Sequence, residues 1–268
     1  MTNTLLRYIR FGEPETTLEL QTQPLTSCSD AQVRVKMLLS PVNASDLIPI
    51  TGAYGHRITP PLVAGYEGVG VVTEAPAEFA WLTGTRVLPL RGQGTWQQYV
   101  ECPAELAIAV PEDISDALAA RAYINPLAAW LMLKHFSPMG KRVLVTAAGS
   151  ECAQMLGQWA FNLGAREVVA VYRSSVHATK LAGLGMIPLE QQDEARIIQY
   201  AGQADIVYEA VGGALANTLL QHLPDTAQFI SYGLLSGQPF SMNNRAATLH
   251  WFHTVSYTHL TLPTKRIV

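Results

Sequence analysis

The segment Thr146-Ala147-Ala148-Gly149-Ser150-Glu151-Cys152-Ala153 joins an apolar run at residues 142–145 to an amphipathic stretch that ends at Leu163-Gly164-Ala165. Small residues in a strand-to-helix turn let backbone N–H groups approach an anion at the positive end of the helix, as a dinucleotide pyrophosphate requires. Gly149 and Ser150 are the residues placed to do this. Gly149 stands alone where a dinucleotide fingerprint carries three glycines, so the turn by itself reads equally well as a plain strand-to-helix connection. The next apolar run, residues 167–172, ends in Tyr172-Arg173-Ser174-Ser175. An acidic residue at that place accepts hydrogen bonds from the ribose 2′-hydroxyl of NAD. A guanidinium with two hydroxyls instead suits the 2′-phosphate of NADPH. Tyr172 and Arg173 are therefore cofactor candidates and NADPH is favoured over NADH, the alternative for Arg173 being a solvated charge at a strand end.

These groups need a scaffold, and the pattern of the chain supplies two. The first ~120 residues are rich in Val, Gly, Pro and turn residues, with strand signals at 32–37, 68–72, 85–89 and 95–100 that call for a compact, irregular barrel. A helical stretch opening at Ser115 and Asp116 marks a change of architecture. Beyond it, strands at 142–145, 167–172, 186–189, 205–209 and 228–232 alternate with helices at 153–163, 176–184, 194–201 and 215–223. Alternation at this spacing predicts an α/β fold with a parallel sheet covered on both faces.

Composition narrows the function. The 268 residues suffice for two modest domains. A net charge of −3 offers no basic field for nucleic acid or anionic lipid, so neither nucleic acid nor membrane is an expected partner. No apolar run approaches ~20 residues and no signal segment opens the chain, which places it in the cytoplasm by default. The cysteines Cys28, Cys102 and Cys152 are too scattered for a disulfide framework or a metal cluster.

Several segments, in order, resemble the quinone oxidoreductase and 2-enoyl thioester reductase branch of the medium-chain dehydrogenase/reductase superfamily. They are Ser40-Pro41-Val42-Asn43-Ala44-Ser45-Asp46-Leu47, Thr51-Gly52-Ala53-Tyr54-Gly55, Ala64-Gly65-Tyr66-Glu67-Gly68-Val69-Gly70, Gly94-Thr95-Trp96-Gln97-Gln98-Tyr99-Val100 and the stretch from Ile124-Asn125-Pro126 to Leu133. The resemblance implies a GroES-like β-rich catalytic domain at 1–118 and a Rossmann-type, doubly wound NADPH-binding domain at 119–254. It also implies hydride transfer in the cleft between them. Zinc-dependent relatives carry a Cys and a His-Glu pair where Asn43 and Tyr66-Glu67 stand here, and neither an amide nor a phenol is a usual zinc ligand. No metal is expected.

The resemblance also implies roles for single residues. Reducing a C=C bond conjugated to a carbonyl puts hydride on the β-carbon and leaves the α-carbon to be protonated. Tyr54 matches the proton donor of the enoyl thioester reductases, the alternative being an aromatic packing residue. Asn43 stands to hydrogen-bond the nicotinamide carboxamide or the substrate carbonyl, or else to cap the backbone. Asn125 approaches the nicotinamide riboside, with Ala128 replacing the expected threonine at the loss of a hydrogen bond worth about 0.5–1.5 kcal/mol. Val211 and Gly212 after the fourth strand, and Tyr232 and Gly233 after the fifth, face the nicotinamide side unless they are ordinary turn residues. Trp251 and Phe252 are assigned to the substrate pocket.

The implied substrates are an enoyl thioester, an enone or a quinone, and the implied parent is a homodimer. A zinc-type alcohol dehydrogenase relative and a non-catalytic NADPH-binding protein remain the alternatives. Residues 255–268 read as a non-native, adapter-like tail. The expectation is thus a C-terminally truncated chain whose parallel sheet is incomplete, with five strands at most.

Overall fold

The computed structural model of the protein describes residues 1–53, 55–56, 58–241 and 247–253. The chain divides into two compact units, Met1–Ile124 and Asn125–Val268.

In the first unit β1 (Thr2–Tyr8) leads through a short helix α1 (Pro14–Thr17) to β2 (Leu18–Pro24) and β3 (Gln32–Leu39). Then follow α2 (Ala44–Leu47), β4 (Leu62–Val63), β5 (Val69–Glu74), β6 (Arg86–Pro89), β7 (Tyr99–Pro103), β8 (Ala107–Ala109) and α3 (Asp116–Ala119). The strands make two sheets, ordered β2-β1-β4 and β7-β3-β5-β6-β8. Alternation along β3 explains the larger one. Val33 and Val35 are fully buried against Val72, Leu82, Val87 and Cys102, while Arg34 on the other face pairs with Glu74 and Glu101 from the two flanking strands. The strand expected at 95–100 is corrected to Tyr99–Pro103. Residues 96 and 98 instead bond to β1, Leu6 N donating to Trp96 O at 2.9 Å and Gln98 N to Thr4 O at 2.9 Å.

The second unit holds most of α4 (Ile124–His135), then β9 (Arg142–Val145), α5 (Glu151–Asn162), β10 (Glu167–Tyr172), α6 (Ala178–Gly183) and β11 (Ile187–Glu190). It continues with α7 (Glu194–Ala201), β12 (Ile206–Glu209), α8 (Gly213–His222), β13 (Gln228–Ser231) and β14 (Thr248–Trp251). All pairings are parallel, in the order β11-β10-β9-β12-β13-β14. Successive strand residues point to opposite faces. Val143, Val145, Tyr208 and Ile230 pack with Met132, Leu133 and Leu156 of α4 and α5 on one face. Leu144, Val207 and Phe229 pack with Ile197, Leu219 and Leu220 of α7 and α8 on the other. Each large apolar side chain so buried contributes about 1.5–3 kcal/mol, and the two-sided burial makes this a doubly wound α/β sheet.

Two expectations are corrected here. The helix forecast at 176–184 is a 3₁₀ turn at Ser175–His177 followed by α6. The sheet has six strands, not five, because Thr248–Trp251 pairs with β13 in register Gln228↔Thr248 to Ser231↔Trp251. Leu249 packs into one facial core and Phe252, just past the strand, into the other, and Thr248 and His250 break the continuous apolar run that marks β9 and β10 in sequence. The adapter-like tail at 255–268 lies outside the described residues. Among the described residues no helix is long and apolar enough to cross a membrane.

Candidate functional site

The candidate cofactor residues of the second unit gather at the carboxyl ends of neighbouring parallel strands, where open α/β sheets bind ligands. After β9 the chain turns sharply, with Ala147 at φ 50°. Ser150 caps α5, its Oγ accepting from Ala153 N at 3.3 Å, and Gln154 Nε2 donates to Gly149 O at 3.0 Å. First-turn amides have no intrahelical acceptor, and those of Gly149 and Cys152 have none among the described residues. A Cβ at Gly149 would lie 2.6 Å from His177 Nε2 and Cδ2, so a larger residue there would have to displace the His177 ring. Glu151 is exposed, so its carboxylate favours the helix dipole without sitting beneath the turn. Ala153 is fully buried under it.

At the end of β10, Arg173 is exposed and makes no ion pair among the described residues. Tyr172 points elsewhere. Its body is in the core, and its hydroxyl lies 3.4 Å from Glu190 Oε1 on β11.

Beyond β12, the amides of Val211 and Gly212 donate to Glu209 Oε1 at 2.6 and 2.9 Å. The Thr146 hydroxyl donates to the same oxygen at 3.4 Å. Burial pushes the Glu209 carboxyl above the usual carboxylate range, against the pull of these three donors. Tyr232 N donates to Glu209 O at 2.8 Å. The Tyr232 hydroxyl is buried without a partner among the described residues, and burial holds its pKa well above that of a free phenol. Gly233 lies flat on the preceding loop, where a Cβ would stand 2.9 Å from Ala210 O.

Three other candidates are placed differently. Asn125 lies in the first turn of α4, its carbonyl 3.9 Å from Cys152 Sγ. Phe252 is 3% exposed in the core, and Trp251, 53% exposed, stacks on Phe240 at 5.2 Å between ring centroids.

In the first unit, Asn43 Nδ2 donates to Glu67 Oε1 at 2.8 Å. Glu67 Oε2 accepts from the amides of Ile124 and Tyr123 at 2.8 and 3.3 Å. Asp46 accepts from the amides of Asn43 and Tyr66 at 2.7 and 2.9 Å. Burial raises the pKa of both carboxyls. Tyr54 lies outside the described residues.

Sequence reasoning passed over Glu209, Thr146 and His177 as site residues. The signal for Glu209 was an acid closing the apolar run Ile206-Val207-Tyr208 just before two glycines. Together, amides at a helix N-terminus that have no acceptor among the described residues, a small-residue turn and, one strand away, a guanidinium that makes no ion pair among them form a donor set that fits a phosphorylated dinucleotide.

Residues 29–112 match the alcohol dehydrogenase GroES-like domain. The chain is 30% identical over 250 residues to the mitochondrial enoyl-[acyl-carrier-protein] reductase of Xenopus tropicalis, covering 88% of this chain and 71% of that protein. It is also 33% identical to a Bacillus thuringiensis protein whose crystal structure is assigned as an NADPH:quinone reductase, with a TM-score of 0.88 over 97% of this chain and 82% of that one. The chain belongs to the medium-chain dehydrogenase/reductase superfamily, in its enoyl and quinone reductase branch. The human mitochondrial enoyl-[acyl-carrier-protein] reductase is 32% identical over 247 residues, covering 87% of this chain and 66% of that protein. This member thus spans about two thirds of the length of these enoyl reductases.

Proposed function

We propose that this chain binds NADPH and reduces a C=C bond conjugated to a carbonyl, in an enoyl thioester or an enone, or else a quinone. The observation that carries the reading is Arg173, exposed and unpaired among the described residues at the end of β10, one strand from the turn that opens α5. A guanidinium there pairs with a 2′-phosphate, and the amides of Gly149 and Cys152 turn toward the diphosphate. When bound, NADPH supplies hydride to the β-carbon of the substrate. Tyr54 delivers the proton to the α-carbon, and Asn43, held by Glu67, orients the substrate carbonyl or the carboxamide. Asn125, Val211, Gly212, Tyr232 and Gly233 line the nicotinamide half, with Ser150 fixing the turn at the diphosphate.

Similarity to enoyl reductases over about two thirds of their length supports an enoyl thioester as the first substrate class. The proposal is metal-independent, since Glu67 spends both carboxyl oxygens on Asn43 and on the amides of Tyr123 and Ile124. A homodimer belongs to it as well, supported by the ladder edge of β14 that no other described strand covers. Sedimentation of the protein tests that state.

The deciding experiment follows NADPH consumption with a crotonyl thioester, a simple enone and a quinone in the presence of a chelator. Turnover of the thioester or enone supports reduction of an activated C=C bond, and turnover of the quinone alone narrows the substrate. NADPH binding without turnover of any would leave a binding protein and sink the enzymatic reading.

A further inference from the structure

The loop at residues 210–213 has all its amides satisfied from within the protein. Ala210 N donates to Thr146 Oγ1 at 2.9 Å, Val211 N and Gly212 N to Glu209 Oε1, and Gly213 N to Gln238 O at 2.9 Å. Its carbonyls are taken too. Leu235 N donates to Ala210 O and Ser236 N to Val211 O, both at 2.9 Å, stitching this loop to the one after β13.

One side chain commands the arrangement. Glu209 is 0% exposed, and its Oε1 alone gathers two successive amides and the Thr146 hydroxyl, while Oε2 has no partner among the described residues. Thr146 is the first residue beyond β9, so the carboxyl group ties the turn that opens α5 to the loop after β12. Gly212, at φ 76°, is free to rotate its peptide unless something holds it. Leu234 Cδ1 and Gln238 O, which a Cβ at Gly212 would meet at 2.6 and 2.7 Å, fill the space on that side.

We infer that Glu209 is a positioning residue which, through Oε1, sets the 210–213 loop in the shape that receives the nicotinamide half of NADPH, leaving the adenine half to Arg173 and the α5 turn. This rests on the NADPH reading above and deepens it. Without Glu209 the amides of Val211 and Gly212 lose their acceptor, and the loop must turn them outward to find another. The phosphate end of the site keeps its own donors, so the damage is confined to one half of the cofactor.

The test compares NADPH with 2′-phospho-ADP-ribose, which lacks the nicotinamide, by calorimetric titration of the full chain. Glu209→Ala is expected to weaken NADPH by about tenfold or more while leaving 2′-phospho-ADP-ribose within about twofold. Glu209→Gln keeps an Oε1 acceptor and is expected to hold NADPH affinity within about threefold of the parent. Thr146→Val, which removes one of the donors to Oε1 and the acceptor of Ala210 N, shifts the ratio of the two affinities in the same direction by about threefold and serves if the alanine variant does not fold. A general loss of structure lowers both affinities together and cannot move their ratio. Equal weakening of both ligands, or no change in either, in a folded variant overturns the inference while sparing the NADPH reading. A parent that binds neither ligand overturns the reading itself, and the inference with it.

Discussion

Replacing Arg173 by alanine separates the two nicotinamide cofactors with little collateral effect. The side chain is exposed and makes no ion pair among the described residues, so its removal strands no partner inside the protein and the melting temperature should hold. A charge-assisted hydrogen bond contributes about 1.5–3 kcal/mol. Solvent screening at an exposed site places this one near the lower end, about 1.5 kcal/mol, which is roughly tenfold in affinity. NADH carries no 2′-phosphate and should lose less than about twofold by the same arithmetic.

Ionic strength gives an independent check, because raising salt from about 0.1 M to about 1 M shortens the screening length from roughly 10 Å to roughly 3 Å. The parent's preference for NADPH should shrink across that range, and the variant's residual preference should barely move. Fluorescence titrations with each cofactor at both salt concentrations measure all four quantities. Equal weakening of NADPH and NADH, or a salt response unchanged by the substitution, would refute the placement of the 2′-phosphate at Arg173.

Glu67→Ala removes an acceptor from Asn43 Nδ2 and the acceptor of the amides of Tyr123 and Ile124, and should cost about 3 kcal/mol or more, read from urea unfolding; a loss under about 1 kcal/mol would contradict the node. Burial raises the pKa of Asp46, Glu67 and Glu209, so the native state retains protons that the unfolded chain has released. Their stabilisation is complete below the ordinary carboxylate values near about pH 4 and is lost as pH rises through the raised native values. Glu67→Gln should therefore flatten the fall of the urea midpoint with pH, and a steeper fall than the parent's would count against it. Phe252→Ala, emptying a site 3% exposed in the core, should cost about 3–5 kcal/mol if β14 is an integral strand; a nearly neutral result would mean that the sixth strand adds little.

Much of the second unit was legible because parallel strands covered on both faces are continuous apolar runs. Arg-Val-Leu-Val at β9 and Glu-Val-Val-Ala-Val-Tyr at β10 declare themselves, and the spacing between them places Arg173 without further help. β14 did not, since Thr-Leu-His-Trp is no continuous apolar run, none of its four residues is fully buried, and its strand character comes from pairing with β13. The shifted start of β7 has the same origin, as residues 96 and 98 follow β1, a partner about ninety positions away. Tyr172 looked like a ligand because it precedes Arg173, yet strand alternation turns it into the core. Glu209 closes the apolar run at 205–209 without any motif of its own, for only the fold reveals that its carboxyl is buried and that two amides converge on one oxygen.

Glu67 and Glu209 solve one physical problem in two places. A binding loop must aim its backbone before the ligand arrives, or binding pays the entropy of ordering it. Each carboxyl takes two successive amides, Tyr123 and Ile124 in one case and Val211 and Gly212 in the other, and so fixes the peptide planes of its segment. The cost is a buried acid, visible in pKa values that burial raises despite the hydrogen bonds. The division of labour across the proposed cofactor site follows. Amides after β12 are spent on Glu209 and offer shape, whereas those of Gly149 and Cys152 after β9 have no acceptor among the described residues and would offer charge. On the proposed reading an anionic diphosphate would take the second place and a flat, uncharged dihydronicotinamide the first, so the amides the protein has already used would set the direction in which NADPH lies across the sheet.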